Sequence, residues 1–308
     1  MLIDYAAITH LGRVRKNNED AYLVSALDGE EPLVNALAPA LGTCHAGLLV
    51  AVADGMGGAA TGEIASREGL SSVAMTLFGH WGRFPAEEAQ EIHLLRALRH
   101  AAEEASAAVL RYADAERASR GMGSTLTAAV LWKGHAYFAQ VGDSRAYLFR
   151  QGQFVQVTQD QTLVREMIDA GSLTPEQARV HPQRSMITQA LGCPSPIEAV
   201  LGRVALRRGD RLLLCSDGLT GEVVDSRLQE FLALGQASAP TLELMVDEAL
   251  QAGGRDNITA LLLTLDDPMF PPPGAHDTVK VVKPVFPPPP SRNTDLLSRI
   301  GRILRGNT

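Results

Sequence analysis

The chain has 308 residues and a formal net charge of −7, with 45% hydrophobic and 20% charged residues, which is typical of a globular protein. The excess of acidic side chains argues against a nucleic-acid partner. We find neither a signal-peptide pattern nor an apolar run of about eighteen residues, so we expect a cytoplasmic protein without a transmembrane helix.

The first half of the chain predicts two strands, a loop and two helices. A short strand pattern begins the chain and leads into the polar stretch 13–20, and residues 28–46 have the composition of a polar insertion. The apolar run 47–53 predicts a buried strand that ends in DGMGG, residues 54–58. Helices are predicted at 63–78 and at about 85–118, where a proline suits the first turn.

The second half predicts a meander of strands followed by helices. The predicted strands of the meander are 124–132, 135–141, 145–149 and 154–158. Short turns with glycine separate them and indicate antiparallel hairpins. Residues 159–192 interrupt this pattern with two helix-like pieces, which we interpret as a mobile lid. Strands at 211–216 and 257–265 follow, with helices between them. Because strands and helices are segregated in runs, an α+β layered fold is favoured.

The composition changes after residue 267, where we expect the globular domain 1–267 to end. Nine of the 17 prolines lie between Pro268 and Pro290, which predicts an extended linker over 268–294. Residues 295–308 then place apolar side chains at helical spacing with arginines on the other face. A basic amphipathic helix that contacts a partner or a membrane surface and a frayed tail are equally supported.

The three cysteines, Cys44, Cys193 and Cys215, have no metal-site or disulfide-framework spacing. A thiolate phosphatase binds phosphate with an arginine six residues after its cysteine, and no arginine stands at that distance from any of the three. We therefore expect buried apolar thiols without a catalytic role.

Four aspartates stand at the ends of predicted strands. Asp54 follows LLVAVA, Asp143 follows AYFAQVG, Asp217 follows LLLCS, and Asp256 precedes NITAL. Strand ends in a layered fold can converge, and carboxylates that share a cleft without cations would repel one another and partly protonate. Oxygen ligands without Cys or His favour Mg²⁺ or Mn²⁺ over Zn²⁺. Each aspartate taken alone is also consistent with a turn or capping residue.

Six motifs together resemble a known family. RVRKNNED, DGMGG, GMGSTLTAAV, VGDSRAYL, CSDGL and GGRDNIT occur in the order found in metal-dependent protein serine/threonine phosphatases of type 2C, especially bacterial ones. The resemblance covers residues 1–265, and the 28–46 insertion and the tail lie outside it. It implies a monomeric four-layer α/β/β/α sandwich, in which two antiparallel sheets are flanked by helices. A flap at about 159–192 is implied beside a metal-binding cleft.

The resemblance also assigns roles around a first metal ion. Asp54 is expected to bridge two Mn²⁺ or Mg²⁺ ions, with the carbonyl of Gly55 on one of them. Asp217 and Asp256 are expected to complete the shell of the first ion. A water between two such ions attacks the phosphorus directly, so no protein nucleophile is needed.

Further roles are implied around the second ion and the substrate. Glu19 and Asp20 are expected around the second ion, partly through water, and Asp143 at a third, looser ion. Arg15 is expected to hold the substrate phosphate, because a guanidinium group binds phosphate oxygens in bidentate fashion. Two departures stand out: Met56 and Gln161 occupy places where relatives often have histidine.

The implied substrates are phosphoproteins, and the implied partners are a bacterial serine/threonine kinase and its targets. Two alternatives stay open. A non-catalytic relative that binds phosphoproteins would be favoured by loss of a metal aspartate or of Arg15, and the sequence retains all of them. A hydrolase of small phosphoesters would be favoured by a deep, closed pocket, on which the sequence is silent.

Overall fold

The protein is a stack of two antiparallel sheets between layers of helices. The structure, a computed structural model, describes residues 3–27, 34–35, 47–57, 61–81, 90–116, 119, 121–284 and 286. The first sheet contains, in spatial order, β1 (Ile3–His10), β11 (Ile258–Leu265), β10 (Asp210–Cys215), β7 (Arg145–Arg150) and β8 (Gln153–Gln156). The second contains β2 (Asp20–Ala26), β3 (Leu48–Met56), β5 (Leu126–Trp132), β6 (His135–Val141) and β9 (Val200–Ala205), with the short β4 (Gly123–Ser124) paired to β3.

Helices cover the outer face of each sheet. The long helices α1 (Thr61–His80) and α2 (Gln90–Ala115) pack on the second sheet. The first sheet is covered by α5 (Asp217–Thr220), α6 (Asp225–Ala233) and α7 (Ser238–Ala252). Two short helices, α3 (Leu163–Asp169) and α4 (Pro175–Arg179), lie in the predicted lid. Every helix in the described ranges is too short or too polar to span a bilayer.

Three hydrophobic cores separate these four layers and explain the apolar runs in the sequence. In β10, Leu212 and Leu214 face the core between the sheets, whereas Leu213 and Cys215 face the helices. Because successive side chains of a strand point to opposite faces, a strand covered on both faces is apolar throughout. The predicted α+β four-layer sandwich is confirmed.

One turn of the meander was wrongly interpreted. Gly142-Asp143 is not a hairpin turn, since β6 belongs to the second sheet and β7 to the first. Gly142 has a φ of 97°, and a Cβ atom added to it would lie 2.8 Å from Cγ2 of Thr125. A side chain here would therefore be both strained and obstructed. The crossover carries Asp143 to the end of both sheets. The glycine pattern indicated a turn of the chain at this position, but not that the chain passes from one sheet to the other.

The other predicted elements agree with the structure where it describes them. The predicted helix 63–78 lies within α1, and the described part of the second predicted helix forms α2. The strands β2 and β9 were not predicted. Within the polar insertion 28–46 the structure describes only residues 34–35, and the tail 295–308 lies outside the described residues.

Residues 268–284, here called the C-terminal strap, run along the domain. Phe270 is 1% exposed and packs into the core between the sheets. Asp277 pairs with Arg207 at 2.5 Å. The main chains of Val282 and Arg203 exchange two hydrogen bonds, at 2.9 and 3.0 Å. The described part of the predicted linker is therefore attached to the domain, and the boundary at residue 267 stays a prediction.

Candidate metal and phosphate site

Both sheets deliver carboxylates to one end of the sandwich. In the second sheet, Asp20 begins β2 and lies directly opposite Asp54 of β3 in the strand register. In the first sheet, Asp217 follows β10 and Asp256 precedes β11, the neighbouring antiparallel strand. The end of one strand and the start of its antiparallel neighbour lie at the same edge of a sheet. The predicted convergence of Asp54, Asp217 and Asp256 is thus present, and Asp20, which only the resemblance implied, joins them.

The mutual repulsion of these carboxylates is visible in their pKa values. Burial raises the pKa of Asp54 well above its ordinary value, and Asp20, Asp217, Asp143 and Asp256 raise it further. The pKa of Asp217 is also raised, first by burial and then by Asp256, while a hydrogen bond from Asp54 lowers it. The five carboxyl groups therefore share one electrostatic environment that favours protons or cations.

Asp20 is the most buried member of the group, with 3% of its surface exposed. Burial raises its pKa to about 7, although hydrogen bonds from Ser216 and Thr259 lower it. The hydroxyl of Ser216 donates to Oδ2 of Asp20 at 2.7 Å. In the described part of the chain, Oδ1 of Asp20 and Oδ1 of Asp217 are the two buried side-chain oxygens without a hydrogen-bond partner. Buried unpartnered oxygens are costly, and a divalent cation would satisfy them.

Asp143 stands on the crossover between the sheets. Burial raises its pKa to about 8, Asp217 and Asp160 raise it further, and Arg145 lowers it. Arg145 binds Asp160 in bidentate fashion, with Nε 2.9 Å from Oδ1 and Nη2 2.6 Å from Oδ2. Arg145 is thus paired with Asp160, and among the described residues no side chain forms an ion pair with Asp143. The sequence analysis missed the pair, although Arg145 belongs to the VGDSRAYL motif.

Gly55, which follows Asp54, is packed closely against neighbouring main-chain atoms. Gly55 donates its N–H to the carbonyl of Glu19 at 3.1 Å. A Cβ atom at Gly55 would lie 2.0 Å from the carbonyl oxygen of Gly62, in the first turn of α1. Only glycine permits this approach. The helix start and the loop before Asp20 are therefore held against the end of β3.

Arg15 has a partner that the sequence did not predict. Its Nη2 atom lies 2.6 Å from Oδ2 of Asp256, and the two side chains are 48% and 34% exposed. The hydrogen bond to Asp256 raises the pKa of Arg15. The residue expected to hold phosphate and a residue expected to hold metal are thus paired with each other.

Side-chain hydrogen bonds fix the loops that carry these groups. Oδ1 of Asn257 accepts from the N–H of Glu19 at 2.8 Å, and its Nδ2 donates to the carbonyls of Leu11 and Asn17 at 2.9 and 3.0 Å. Asn257 therefore ties the loop between β1 and β2 to the start of β11.

The end of β3 is held in a similar way. The hydroxyl of Ser124 donates to the carbonyl of Asp54 at 3.0 Å, and the N–H of Asp54 donates to Oγ1 of Thr125 at 2.9 Å. These bonds fix both backbone groups of Asp54.

The acidic cleft is not a tight ligand cage. The described residues contain no group of three His, Cys, Asp or Glu side chains gathered closely enough to form a ready metal site. Hard cations also bind main-chain carbonyl and water oxygens, which are not among these side-chain groups.

Two other side chains bear on the chemistry. Cys215 is buried as expected, and burial raises the pKa of its thiol to about 12, so it is not a nucleophile. Cys193 is exposed, so the expectation of a buried thiol was wrong there, and Cys44 lies outside the described residues. Met56 follows Gly55 at the end of β3 and has no proton to donate. The cleft therefore offers carboxylates and a guanidinium group rather than a protein nucleophile.

This combination of a two-sheet sandwich and an acidic cleft matches a known class. The family model of protein phosphatase 2C matches residues 36–262. The chain belongs to the protein phosphatase 2C family, which confirms the resemblance seen in its motifs.

Named relatives of the chain come from several bacteria. It is 34% identical to the serine/threonine protein phosphatase PstP of Mycobacterium tuberculosis over 87% of this chain, and it spans 46% of that protein's length. It is 32% identical to the serine/threonine phosphatase stp of Listeria monocytogenes, over 84% of this chain and 94% of the relative. The chain thus spans about half of the first relative and nearly all of the second.

A solved structure shows the same fold. The catalytic domain of PstP in complex with two manganese ions superposes with a TM-score of 0.68 at 32% identity. The match covers 86% of this chain and 99% of that domain. The architecture of the described residues is therefore that of a phosphatase domain known to bind two metal ions.

Proposed function

We propose that this chain is a metal-dependent protein phosphatase that hydrolyses phosphoserine and phosphothreonine in proteins. The observation that carries the proposal is the cleft itself, where carboxylates from both sheets meet and two buried carboxylate oxygens lack partners. An arginine stands beside them. Membership of the protein phosphatase 2C family supports the same conclusion.

The residues present fit a pair of Mn²⁺ or Mg²⁺ ions. Asp54, Asp217 and Asp256 would hold the first ion, and the carbonyl of Gly55 would bind one of the two. Asp54, Glu19 and Asp20 would hold the second, and Asp143 would contribute to a third. When bound, such ions lower the pKa of a water between them and neutralise charge on the phosphoryl group.

The chain's own residues bind and orient the substrate. A cation on Asp256 would compete with Arg15 for the same carboxylate, which would leave the guanidinium group for phosphate oxygens. Asn257 and Thr125 hold the main chain around Glu19 and Asp54. Met56 cannot protonate the leaving oxygen, so that proton must come from solvent or from a carboxyl group of the cleft.

The proposal extends to partners and location. A bacterial serine/threonine kinase and its targets would supply the phosphoproteins, and the chain would act as a cytoplasmic monomer. Residues 295–308 would contact a partner or a membrane surface. Deleting the tail should then alter the location of the protein in cells while hydrolysis of a small aryl phosphate is retained.

Hydrolysis of a phosphothreonine peptide tests the function. We expect turnover with Mn²⁺ or Mg²⁺ and none with EDTA. Asp217→Asn should lower kcat/KM by more than about 100-fold, because even outer-shell partners of a metal are worth 10–100-fold. Asp247→Asn, on the exposed face of α7, is the matched control and should behave as wild type.

One outcome would overturn the proposal. If the wild-type chain binds the phosphopeptide tightly but hydrolyses it with none of the metals, a non-catalytic phosphoprotein-binding role replaces the phosphatase.

A further inference from the structure

Gln161 uses all of its polar groups to join three segments at the edge of the cleft. Its Oε1 accepts from the N–H of Gly142 at 2.8 Å, and its own N–H donates to the carbonyl of Gly142 at 2.9 Å. Its Nε2 donates to the carbonyl of Glu198 at 2.7 Å. Its carbonyl accepts from the N–H of Thr188 at 2.8 Å. The sequence alone assigned no role to Gln161.

The first of these segments carries Asp143. Gly142 is held by Gln161 on one side and pressed against Thr125 on the other, where an added Cβ atom would lie 2.8 Å from Cγ2. Oγ1 of Thr125 in turn accepts from the N–H of Asp54. The peptide before Asp143 is therefore fixed between Gln161 and the residue that holds Asp54.

The other two segments are the base of the lid, residues 159–192, and the chain that leads from it. The lid leaves the sheet beside Gln161, where Thr162 caps α3 by accepting from the N–H of Arg165 at 3.2 Å. It returns past Thr188, and Glu198 lies just before β9. One side chain therefore connects the base of the lid with the crossover that carries Asp143.

We propose that Gln161 is a positioning residue that fixes Asp143 in the cleft and couples it to the base of the lid. The significance of Asp143 rests on the proposed function. A neutral amide suits this place, since it accepts one hydrogen bond and donates another without adding charge beside five carboxyl groups. A neutral imidazole offers the same pair of an acceptor and a donor.

Manganese binding to the full chain gives a readout that does not depend on turnover. Gln161→Met removes both side-chain hydrogen bonds while keeping an unbranched side chain. We expect the weakest Mn²⁺ site, measured by calorimetric titration of the metal-free protein, to lose about 10–100-fold in affinity. KM for a phosphopeptide should rise, and limited proteolysis within 159–192 should become faster.

A matched control lies in the lid. Oε1 of Gln189 accepts from the N–H of Glu198 at 3.1 Å, and Gln189 has no hydrogen bond to Gly142. Gln189→Met should therefore speed proteolysis of the lid without weakening any Mn²⁺ site. If it weakens Mn²⁺ binding as much as Gln161→Met does, general loosening of the lid explains the effect and the proposal is wrong.

The Gln161→His variant distinguishes positioning by side-chain hydrogen bonds from simple filling of space. At pH 8, where the ring is neutral, Gln161→His should restore the Mn²⁺ affinity lost in Gln161→Met. This variant also carries the test if the methionine variant does not fold. Unchanged Mn²⁺ affinity in Gln161→Met, or no recovery in Gln161→His, overturns the proposal. If the wild type hydrolyses no phosphopeptide, the proposed phosphatase activity fails, whereas the Mn²⁺ titrations still decide the role of Gln161.

Discussion

The pairing of Arg15 with Asp256 links two functions that the sequence treats as separate. Both side chains are more than one-third exposed, at 48% and 34%, and their contact joins residues 241 positions apart. An exposed ion pair of this kind contributes roughly 0.2–1 kcal/mol. A divalent cation can therefore replace Arg15 on Asp256, and a phosphate group can replace Asp256 on Arg15, at low cost.

Arg15→Ala should change metal binding and substrate binding in opposite directions. Removing the guanidinium group frees Asp256, so the affinity for Mn²⁺ should rise by up to about fivefold, the equivalent of one exposed ion pair. KM for a phosphothreonine peptide should rise by about tenfold or more, because a charge-assisted contact to phosphate is lost. Calorimetric titration with Mn²⁺ and steady-state kinetics measure the two effects.

Arg13→Ala is a suitable control, because the described contact of Arg13 with this region runs from its main-chain N–H to the carbonyl of Gly254. Its Mn²⁺ affinity and KM should stay close to wild type. Weaker Mn²⁺ binding in Arg15→Ala would mean that Arg15 supports the metal site rather than competing with the metal.

At this scale the sequence predicted the members of the cleft but not their contacts. The aspartates were recognisable because each follows or precedes an apolar strand. The bond between Ser216 and Asp20 depends on how the two sheets stack, and the pair formed by Arg145 and Asp160 joins the start of β7 to the segment after β8; local sequence encodes neither contact. The role of the Gln161 amide depends on hydrogen-bond partners that only the structure identifies.

Among the elements, the C-terminal strap has the most unexpected position. β9 is the last strand of the second sheet, and the strap pairs with it through Val282 and Arg203. Unpaired strand edges invite association with other chains, and covering them is a common protection. Asp277 of the strap also lies 3.9 Å from Nη1 of Arg150, whose buried side chain pairs with Asp210.

Two truncations test whether the strap belongs to the folded unit. Ending the chain after residue 286 should leave the free energy of unfolding unchanged. Ending it after residue 267 should lower that energy by at least about 3–5 kcal/mol, the usual cost of removing a buried phenylalanine side chain such as Phe270. Urea unfolding followed by tryptophan fluorescence measures both.

Equal stability of the two truncated chains would show that the strap only rests on the domain. Phe270→Ala in the full chain is the matched point variant and should reproduce most of the loss. Proline content alone predicted an extended segment, whereas the strap turns at 267–270 and at 274–277. It carried no signal that an extended segment would return to the edge of β9.

At the level of the whole molecule, the two sheets are joined at both ends. At the cleft, Asp20 of the second sheet accepts from Ser216 of the first at 2.7 Å. At the opposite end, Arg150 of β7 donates to the carbonyl of Ala205 of β9 at 2.7 Å while it binds Asp210. The layered fold was predictable from segregated runs of strands and helices. The pairing order was not, since each sheet also pairs strands that are distant in the chain: β1 with β11 and β10 with β7 in the first sheet, and β6 with β9 in the second.

The shared carboxyl groups make stability depend on pH in an unusual direction. The pKa of Asp20 is raised from 3.8 to about 7, and that of Asp143 from 3.8 to about 8. Between pH 4 and these values, the metal-free folded chain keeps protons that the unfolded chain has lost. Raising the pH through this window should therefore lower the free energy of unfolding, by at most about 1.4 kcal/mol per pH unit for each such carboxyl group.

Urea unfolding in EDTA at pH 5, 6.5 and 8 measures this slope. Glu222 and Asp277 do not contribute to the slope in this pH range. Their pKa values are lowered from 4.5 and 3.8, so they titrate at more acidic pH. Asp20→Asn should flatten the slope and be more stable than wild type at pH 8. Stability that rises from pH 5 to 8 in EDTA would contradict the assignment of these protons.

Adding Mn²⁺ should reverse the trend, because bound cations replace the protons and join carboxylates of both sheets. The stabilisation by Mn²⁺ should therefore be larger at pH 8, where the carboxyl groups ionise readily, than at pH 5, where protons compete with the metal. Asp20→Asn should lose part of this stabilisation at pH 8, whereas Asp247→Asn, on the exposed face of α7, should keep all of it. An equal effect of Mn²⁺ at both pH values would mean that the metal binds elsewhere than on the protonated carboxyl groups.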